Sequence, residues 1–180
     1  MKTNPLYLIP FLLITTIFST SSCAQEQPQN TSISRDSLIT AAAEIMKNVR
    51  YCALITVDDS GGVHTRAMDA FPPENGLVVW FATNPHSRKV AQIRSNPNVV
   101  LYYFDAAGGE YVSISATARI VDDAAEKQQY WKEEWAAFYP DRDENYLLIE
   151  TKPVKMEIVS EARGIIGDAE TWEPQTVYFE

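Results

Sequence analysis

"VVWFATNPHSRKVAQIRSNPNVVLYYF", residues 78–104, reads as a strand, a turn, a helix and a second strand. Both ends of the stretch are rich in β-branched and aromatic residues, which favour strands. Between them, Asn84 is a helix-capping residue, and Pro85 is favoured at the first position of a helix. The stretch therefore predicts a helix over residues 85–95 that connects two strands.

The same stretch has an unusual charge distribution for an acidic protein. The chain carries 15 Lys and Arg against 24 Asp and Glu, a formal net charge of −9, so nucleic acid is not an expected partner. Residues 75–104 nevertheless contain no Asp or Glu, and their only cations are Arg88, Lys89 and Arg94. Helix N-termini attract anions, and Ser87, Arg88 and Lys89 add donors that suit phosphate. The alternative is a solvated helix start with two surface cations.

Segments on both sides of this stretch have the same strand composition. Together with the two strands of residues 78–104, these segments predict six or seven strands. They lie at residues 51–57, 63–71, 77–83, 98–104, 111–121 and, as one or two closing strands, 146–159. The turns between them are rich in Gly, Pro, Asp and Asn. Besides the helix at 85–95, helical patterns cover only 34–48 and about 123–138. Alternating βαβ units would need a helix after every strand, so we predict an antiparallel barrel.

The N-terminus is expected to be a targeting segment. Lys2 is followed by an apolar run at residues 6–18 that is too short to span a bilayer but fits the core of a signal peptide. The small residues before Cys23 resemble a bacterial lipoprotein cleavage box. We therefore predict a signal peptide (1–22), lipidation of Cys23, a flexible tether (23–33) and one domain (34–180). The protein would then be exported and held on a bacterial membrane by lipid, the alternative being an ordinary cleaved secretory signal.

No familiar catalytic motif is visible in the chain. His64 and His86 are the only histidines, and no spacing of His, Cys and carboxylates suits zinc, so no metal is expected. Glycine-rich phosphate loops and Gly-x-Ser-x-Gly motifs do not occur. With no catalytic acid–base pair to name, redox chemistry would have to come from a bound cofactor.

The cofactor is suggested by combining a phosphate site with aromatic residues. Arg66, in the predicted strand at 63–71, would add a third cation if its side chain points toward the Ser87–Lys89 turn. The alternative is an outward-facing arginine on a strand. Most nearby aromatic residues are expected in the core, but a planar ring could rest among them: Trp80, Phe81, Tyr102, Tyr103, Phe104 and Tyr111. Flavin mononucleotide (FMN) has both a phosphate and a planar ring.

Residues 78–104 together with "HTRAMDAF", "EYVSISATARIVDD", "YWKEEWAAFYPDRDENYLLIETKP" and "GDAETWEPQTVYFE" resemble the pyridoxamine 5′-phosphate oxidase-like, FMN-binding split-barrel family. Within it, the general-stress-protein branch is most similar. The resemblance covers nearly all of residues 36–180 in the family's order. It implies a mainly β fold, an antiparallel six-stranded split barrel with flanking helices, and a homodimer with FMN at the subunit interface.

The resemblance also implies the residues that contact FMN. Strand residues would line the flavin, the turn and helix start would hold the phosphate, and one tyrosine would reach across from the other subunit: Arg66, Met68, Asp69; Phe81, Ala82, Thr83; Ser87, Arg88, Lys89; and Tyr111. Phe71 stands where the oxidases have a lysine, and the oxidases' C-terminal arginine/histidine motif is absent. These departures argue against vitamin B6 as the substrate.

The expected function is therefore a stress-related, FMN-dependent oxidoreductase whose substrate and electron donor are unassigned. In this reading hydride reaches the flavin, and the protein supplies orientation. A different class of function is a non-catalytic flavin-binding or redox-buffer protein. Haem or deazaflavin binding, which occurs in related split barrels, is a third alternative.

Overall fold

The computed structural model describes residues 33–180. The predicted signal peptide, the candidate lipidation site Cys23 and the tether up to residue 32 lie outside the described residues. Within residues 33–180, no helix is long and apolar enough to cross a membrane.

Seven strands and four α-helices form the part of the chain that is described. The strands are β1 (Tyr51–Val57), β2 (Val63–Asp69), β3 (Val79–Thr83), β4 (Asn98–Asp105), β5 (Glu110–Val121), β6 (Leu147–Val159) and β7 (Gln175–Tyr178). The helices are α1 (Arg35–Asn48), α2 (Arg88–Ser95), α3 (Ala124–Gln129) and α4 (Arg142–Asn145), with short 3₁₀ turns at Asn75–Leu77, Glu133–Ala137 and Glu161–Arg163.

The strands form one antiparallel sheet that curls into a half-barrel. Its order is β2-β1-β4-β5-β6-β3, and β7 pairs with the C-terminal half of β6. The two edge strands meet through an antiparallel bridge between Ala70 and Phe81, where Phe71 N–H donates to the Trp80 carbonyl at 3.0 Å. The prediction of a mainly β, antiparallel split barrel with flanking helices is therefore confirmed, and β7 is an additional strand that the sequence reading missed.

The core fills the inside of the half-barrel and is closed by α1. Along β1, burial alternates so that Cys52, Leu54 and Thr56 point inward, as expected for a sheet with one buried face. Helix α1 adds buried residues at helical spacing: Leu38, Ala41, Ala42, Ile45 and Met46. Ser34 caps α1 as predicted, because its hydroxyl accepts a hydrogen bond from Ser37 N at 3.2 Å.

A second, aromatic core packs on the other side of β3 and β6. Its buried members are Trp80, Val121, Tyr130, Trp135, Tyr146 and Leu148. The prediction of one long helix over about 123–138 is wrong here. After α3 the backbone leaves the helical region at Tyr130 (φ −98°, ψ 57°), and this turn lets the Tyr130 ring stack on Trp80 with centroids 4.2 Å apart.

The helix predicted over 85–95 starts three residues later than expected. Asn84 does not cap it: its side-chain oxygen accepts from His86 N at 2.8 Å, and Ser87 N donates to the Asn84 carbonyl at 3.0 Å. These bonds form a separate turn before the helix, a common use of Asn. Helix α2 therefore begins at Arg88, with Ser87 in the capping position.

Candidate functional site

The site lies where the two edge strands, β2 and β3, separate beyond their bridge. Strand β3 ends at Thr83, and the Asn84–Ser87 turn leads directly into α2. The first residues of α2, Arg88 and Lys89, lie close enough to Arg66 of β2 for their charges to interact. The fold thus brings together residues that are up to 23 positions apart in sequence.

Arg66 is held in one orientation by three acceptors. Its Nη1 donates to the Leu54 carbonyl at 3.1 Å and to Thr56 Oγ1 at 2.8 Å, and its Nη2 donates to Gln92 Oε1 at 3.1 Å. Thr56 Oγ1 also donates to Gln92 Oε1, at 2.7 Å. The alternative of an outward-facing strand arginine is therefore excluded. Gln92, a buried polar residue of α2, was missed by the sequence reading because nothing in its local pattern marks it.

Lys89 approaches the same place from the start of α2. Its Nζ lies 3.2 Å from both Thr83 Oγ1 and Ser87 Oγ, and these two hydroxyls are 2.9 Å apart. The Ser87 hydroxyl therefore does not cap α2 but joins the donors around the lysine. A cluster of hydroxyl groups and an ammonium is suited to oxyanion binding.

Arg66, Arg88 and Lys89 form a cation cluster without a carboxylate partner. None of the three makes an ion pair within 4.0 Å in the described part of the chain. Burial, and then the charge of Arg66, holds the pKa of Lys89 below its ordinary value of 10.5. Burial and the charge of Arg88 lower the pKa of Arg66 in the same way. A bound anion would raise the pKa values of both Lys89 and Arg66 again.

A cleft of about 510 Å³ runs alongside the cation cluster, a volume within the usual range for small-molecule sites. Lys89, Ala82 and a run of β2 line it together with residues from the start of β1 and from the segment after α3: Ala67, Met68, Asp69, Arg50, Tyr51, Glu134, Trp135, Phe138 and Tyr139. Four predicted site residues, Met68, Asp69, Ala82 and Lys89, thus line one cleft.

Two predicted site residues face the interior with their side chains. Phe81 has no exposed surface and Met68 is 8% exposed, and both belong to the main core. Phe81 does not line the cleft, and Met68 lines it with only a small exposed surface. The Asp69 carboxylate accepts from Lys132 Nζ at 2.9 Å and from Arg50 Nη2 at 3.2 Å. Partial burial by itself raises the pKa of Asp69, but these bonds outweigh it and hold the pKa below its ordinary value.

Tyr111 does not line the cleft of its own chain. It lies at the start of β5, with its ring centroid 5.7 Å from that of Tyr102. Both rings lie on the outward face of the sheet, since Val112 and Tyr103 beside them are buried. The partner-subunit role that the resemblance implies for Tyr111 stays a prediction.

Among residues 33–180, no histidine and no cysteine lines this cleft. His64 pairs with Asp58 at 2.7 Å on the hairpin between β1 and β2, and His86 is exposed in the turn before α2. Cys52 is buried, and its burial raises the thiol pKa to about 11. In residues 33–180, no group of three or more His, Cys, Asp or Glu side chains is arranged to hold a metal ion. The described part of the cleft therefore offers no imidazole and no thiol.

Comparison with known proteins gives the relatives of this chain. This chain is 25% identical to general stress protein 26 of Bacillus subtilis (strain 168) over 121 residues, which are 65% of this chain and 84% of the relative. The structure of general stress protein 26 from Bacillus anthracis str. Sterne has a TM-score of 0.64 at 22% identity, over 79% of this chain and 98% of that one.

A further structural match is a protein from Nostoc punctiforme PCC 73102 described as pyridoxamine 5′-phosphate oxidase-related and FMN binding. It has a TM-score of 0.59 at 17% identity, over 83% of this chain and 98% of its own, and so shares the fold. The family model for pyridoxamine 5′-phosphate oxidase-like proteins matches residues 38–161. Since this match spans more than half of the sequence, the chain belongs to the pyridoxamine 5′-phosphate oxidase-like family.

Proposed function

We propose that the protein binds FMN in the cleft lined by Lys89 and Asp69, called the flavin cleft below, and acts as an FMN-dependent oxidoreductase. The observation that carries the proposal is the cation cluster of Arg66, Arg88 and Lys89, none of which has a carboxylate within 4.0 Å among the described residues. Burial and the neighbouring cations lower the pKa values of Arg66 and Lys89. The FMN-binding relative with the same fold supports the choice of cofactor.

The residues present fit a phosphate monoester. Arg66 offers a planar fork whose direction is already set by Thr56 and Gln92, and Lys89 offers a point charge beside the hydroxyls of Thr83 and Ser87. Three phosphate oxygens can accept from several such donors at once, whereas a carboxylate has only two oxygens. The first amides of α2 add further donors at the positive end of the helix dipole.

The rest of the flavin cleft fits a flat ring system. The small side chains of Ala67 and Ala82 leave room for a ring in the cleft. The segment after α3 forms an aromatic wall, in which Phe138 is 75% exposed. When bound, FMN supplies the chemistry of accepting and passing on a hydride or electrons. The chain's own part is to fix the phosphate, orient the ring between the strand edge and the aromatic wall, and limit access of water.

A non-catalytic flavin-binding or redox-buffer protein is the second candidate. It is favoured by the lack of a histidine or cysteine in the cleft and by the engagement of the Asp69 carboxylate with Arg50 and Lys132. The absorbance spectrum of the purified protein after addition of FMN tests flavin binding itself, with a Soret band indicating haem instead. Reduction of the bound flavin by NADH or NADPH favours the enzyme, and its absence favours the carrier.

We further propose that two copies of the chain assemble through the outward face of the sheet. This face carries exposed apolar residues that a soluble monomer rarely groups together: Tyr51 (55% exposed), Val63 (68%), Tyr102 (38%), Phe104 (52%) and Val154 (49%). This face adjoins the flavin cleft. Ala67, which lines the cleft, pairs with Ala53 of β1, and Ala53 pairs with Tyr102 of β4. A second copy seated here would border the cleft and could bring its Tyr111 close to it.

Tyr102→Glu is expected to split this assembly. A buried carboxylate in the middle of an apolar interface is strongly unfavourable, so sedimentation should show the variant as a monomer at concentrations where the unaltered protein is a dimer. Gln128→Glu, on the exposed surface of α3, adds the same charge away from the face and should leave the dimer intact. A monomeric unaltered protein would contradict the proposed assembly.

FMN affinity is expected to fall at mildly alkaline pH. The pKa of Lys89 is lowered in the free protein by burial and by Arg66, and a bound phosphate dianion would raise it again. Binding therefore takes up a proton at pH values between the two pKa values, and affinity decreases as pH rises through that window. The phosphate, whose second pKa is about 6, is already fully charged there.

Fluorescence titrations of FMN at neutral pH and at successive alkaline pH values below 10.5 measure this decrease. Lys89→Arg is the matched control, because a guanidinium keeps its charge over the whole range, and its affinity should stay nearly constant. The same pH dependence in both proteins would show that Lys89 does not contact the phosphate.

A further inference from the structure

We propose that Arg50 favours the reduced form of FMN in the flavin cleft and so raises the reduction potential of the bound cofactor. The inference rests on the proposed function. It concerns a residue that precedes β1 and that neither the sequence reading nor the family resemblance singled out.

Arg50 is held at the cleft by carboxylates. Its Nη2 lies 3.2 Å from Asp69 Oδ2 and 4.0 Å from Glu134 Oε1, and its guanidinium carbon is 5.2 Å from the centre of the Tyr51 ring. Lys132 Nζ fixes the other Asp69 oxygen at 2.9 Å. Nε and Nη1 of Arg50 make no hydrogen bond within residues 33–180, so these donors can serve a molecule in the cleft.

The position of Arg50 along the cleft is set by strand β2. Asp69, which binds Arg50, is three residues beyond Arg66, a distance of about 10 Å along a strand. Arg66 and Asp69 are thus separated along β2, and Lys89 of the cation cluster and Arg50 both line the cleft. A phosphate on the cation cluster leaves the region beside Arg50 for the ring end of the same molecule.

The charge of Arg50 suits the reduced ring. Two-electron reduction of a flavin with uptake of one proton adds one negative charge to the ring system, whereas the oxidised ring is neutral. A guanidinium beside the ring stabilises the charged form more than the neutral one, and an arginine does not lose its proton at physiological pH. Asp69 and Glu134 would by themselves disfavour the negative ring, and Arg50 together with Lys132 offsets them.

The test is the midpoint potential of bound FMN, measured by equilibration with a reference dye during stepwise chemical reduction of the full-length protein. Arg50→Met should lower the ratio of the affinities for reduced and oxidised FMN at least tenfold, which corresponds to about 30 mV for a two-electron couple. Arg50→Lys keeps the charge and should retain most of the potential. Arg94→Met removes an exposed arginine at the end of α2 and should change nothing.

Two results would overturn the inference. One is a midpoint potential in Arg50→Met that equals the potential in the unaltered protein. This includes the case in which the affinities for reduced and oxidised FMN fall by the same factor. The other is an equal fall in Arg94→Met, which would mean that only net charge matters. Failure of the unaltered protein to bind FMN would instead refute the proposed function, so the two failures are distinguishable.

Discussion

Replacing Arg88 by alanine and Lys89 by methionine together should weaken FMN binding at least a hundredfold. Each charge-assisted hydrogen bond contributes about 1.5–3 kcal/mol, and each 1.4 kcal/mol is about a factor of ten in affinity. Arg88 is exposed and Lys89 is partly buried at the first two positions of α2, so both changes leave the helix intact. Isothermal titration with FMN measures the loss.

Two controls separate a phosphate site from a general charge effect. Arg94→Ala, in the last turn of α2, removes a cation from the same helix and should leave FMN affinity within a factor of two or so of the original, as expected for surface substitutions. Riboflavin, which lacks the phosphate, should bind the double variant and the unaltered protein equally. Unchanged FMN affinity in the double variant would place the phosphate elsewhere.

Phe81→Ala should cost about 3–5 kcal/mol of folding stability, the usual range for a buried phenylalanine. The Phe81 ring is fully buried in the main core, and its backbone pairs with Ile149 of β6. Removing the ring leaves a cavity beside the bridge at which the half-barrel closes. Urea unfolding followed by tryptophan fluorescence measures the loss of stability.

Phe138→Ala is the matched control for Phe81, because its ring is 75% exposed on the wall of the flavin cleft. We expect a change in stability within about 0.5 kcal/mol. If Phe81→Ala were as stable as the unaltered protein yet lost FMN affinity, its side chain would line the flavin as the family resemblance implied, and the core assignment would be wrong.

The strands could be predicted from sequence because their composition and turns agree. β1 was predicted with its observed bounds, and the closing segment proved to be the single strand β6. Strand β7 was missed because its four residues, "QTVY", are too short to show a period. The prediction of one long helix after β5 was wrong because tertiary packing overrides helix propensity there. Stacking of Tyr130 on Trp80 requires a break in the helix, which propensity does not reveal.

The candidate residues could be named from the sequence, but their geometry could not. Two adjacent cations in a stretch free of acidic residues indicated an anion site, and the fold places Arg66 beside it. Gln92 and Arg50 could not have been found, because their roles depend on contacts between distant segments. The inward direction of Phe81 follows from its place in the barrel, which an almost entirely apolar strand does not disclose.

The comparison of FMN with riboflavin on the unaltered protein tests the central claim most directly. The two molecules share the flavin ring and ribityl chain and differ only in the phosphate that we assign to Arg66, Arg88 and Lys89. We expect FMN to bind, with the absorbance bands of a protein-bound flavin, at least a hundred times more tightly than riboflavin, from two or more charge-assisted bonds. Equal affinities, or no binding of FMN, would contradict the account.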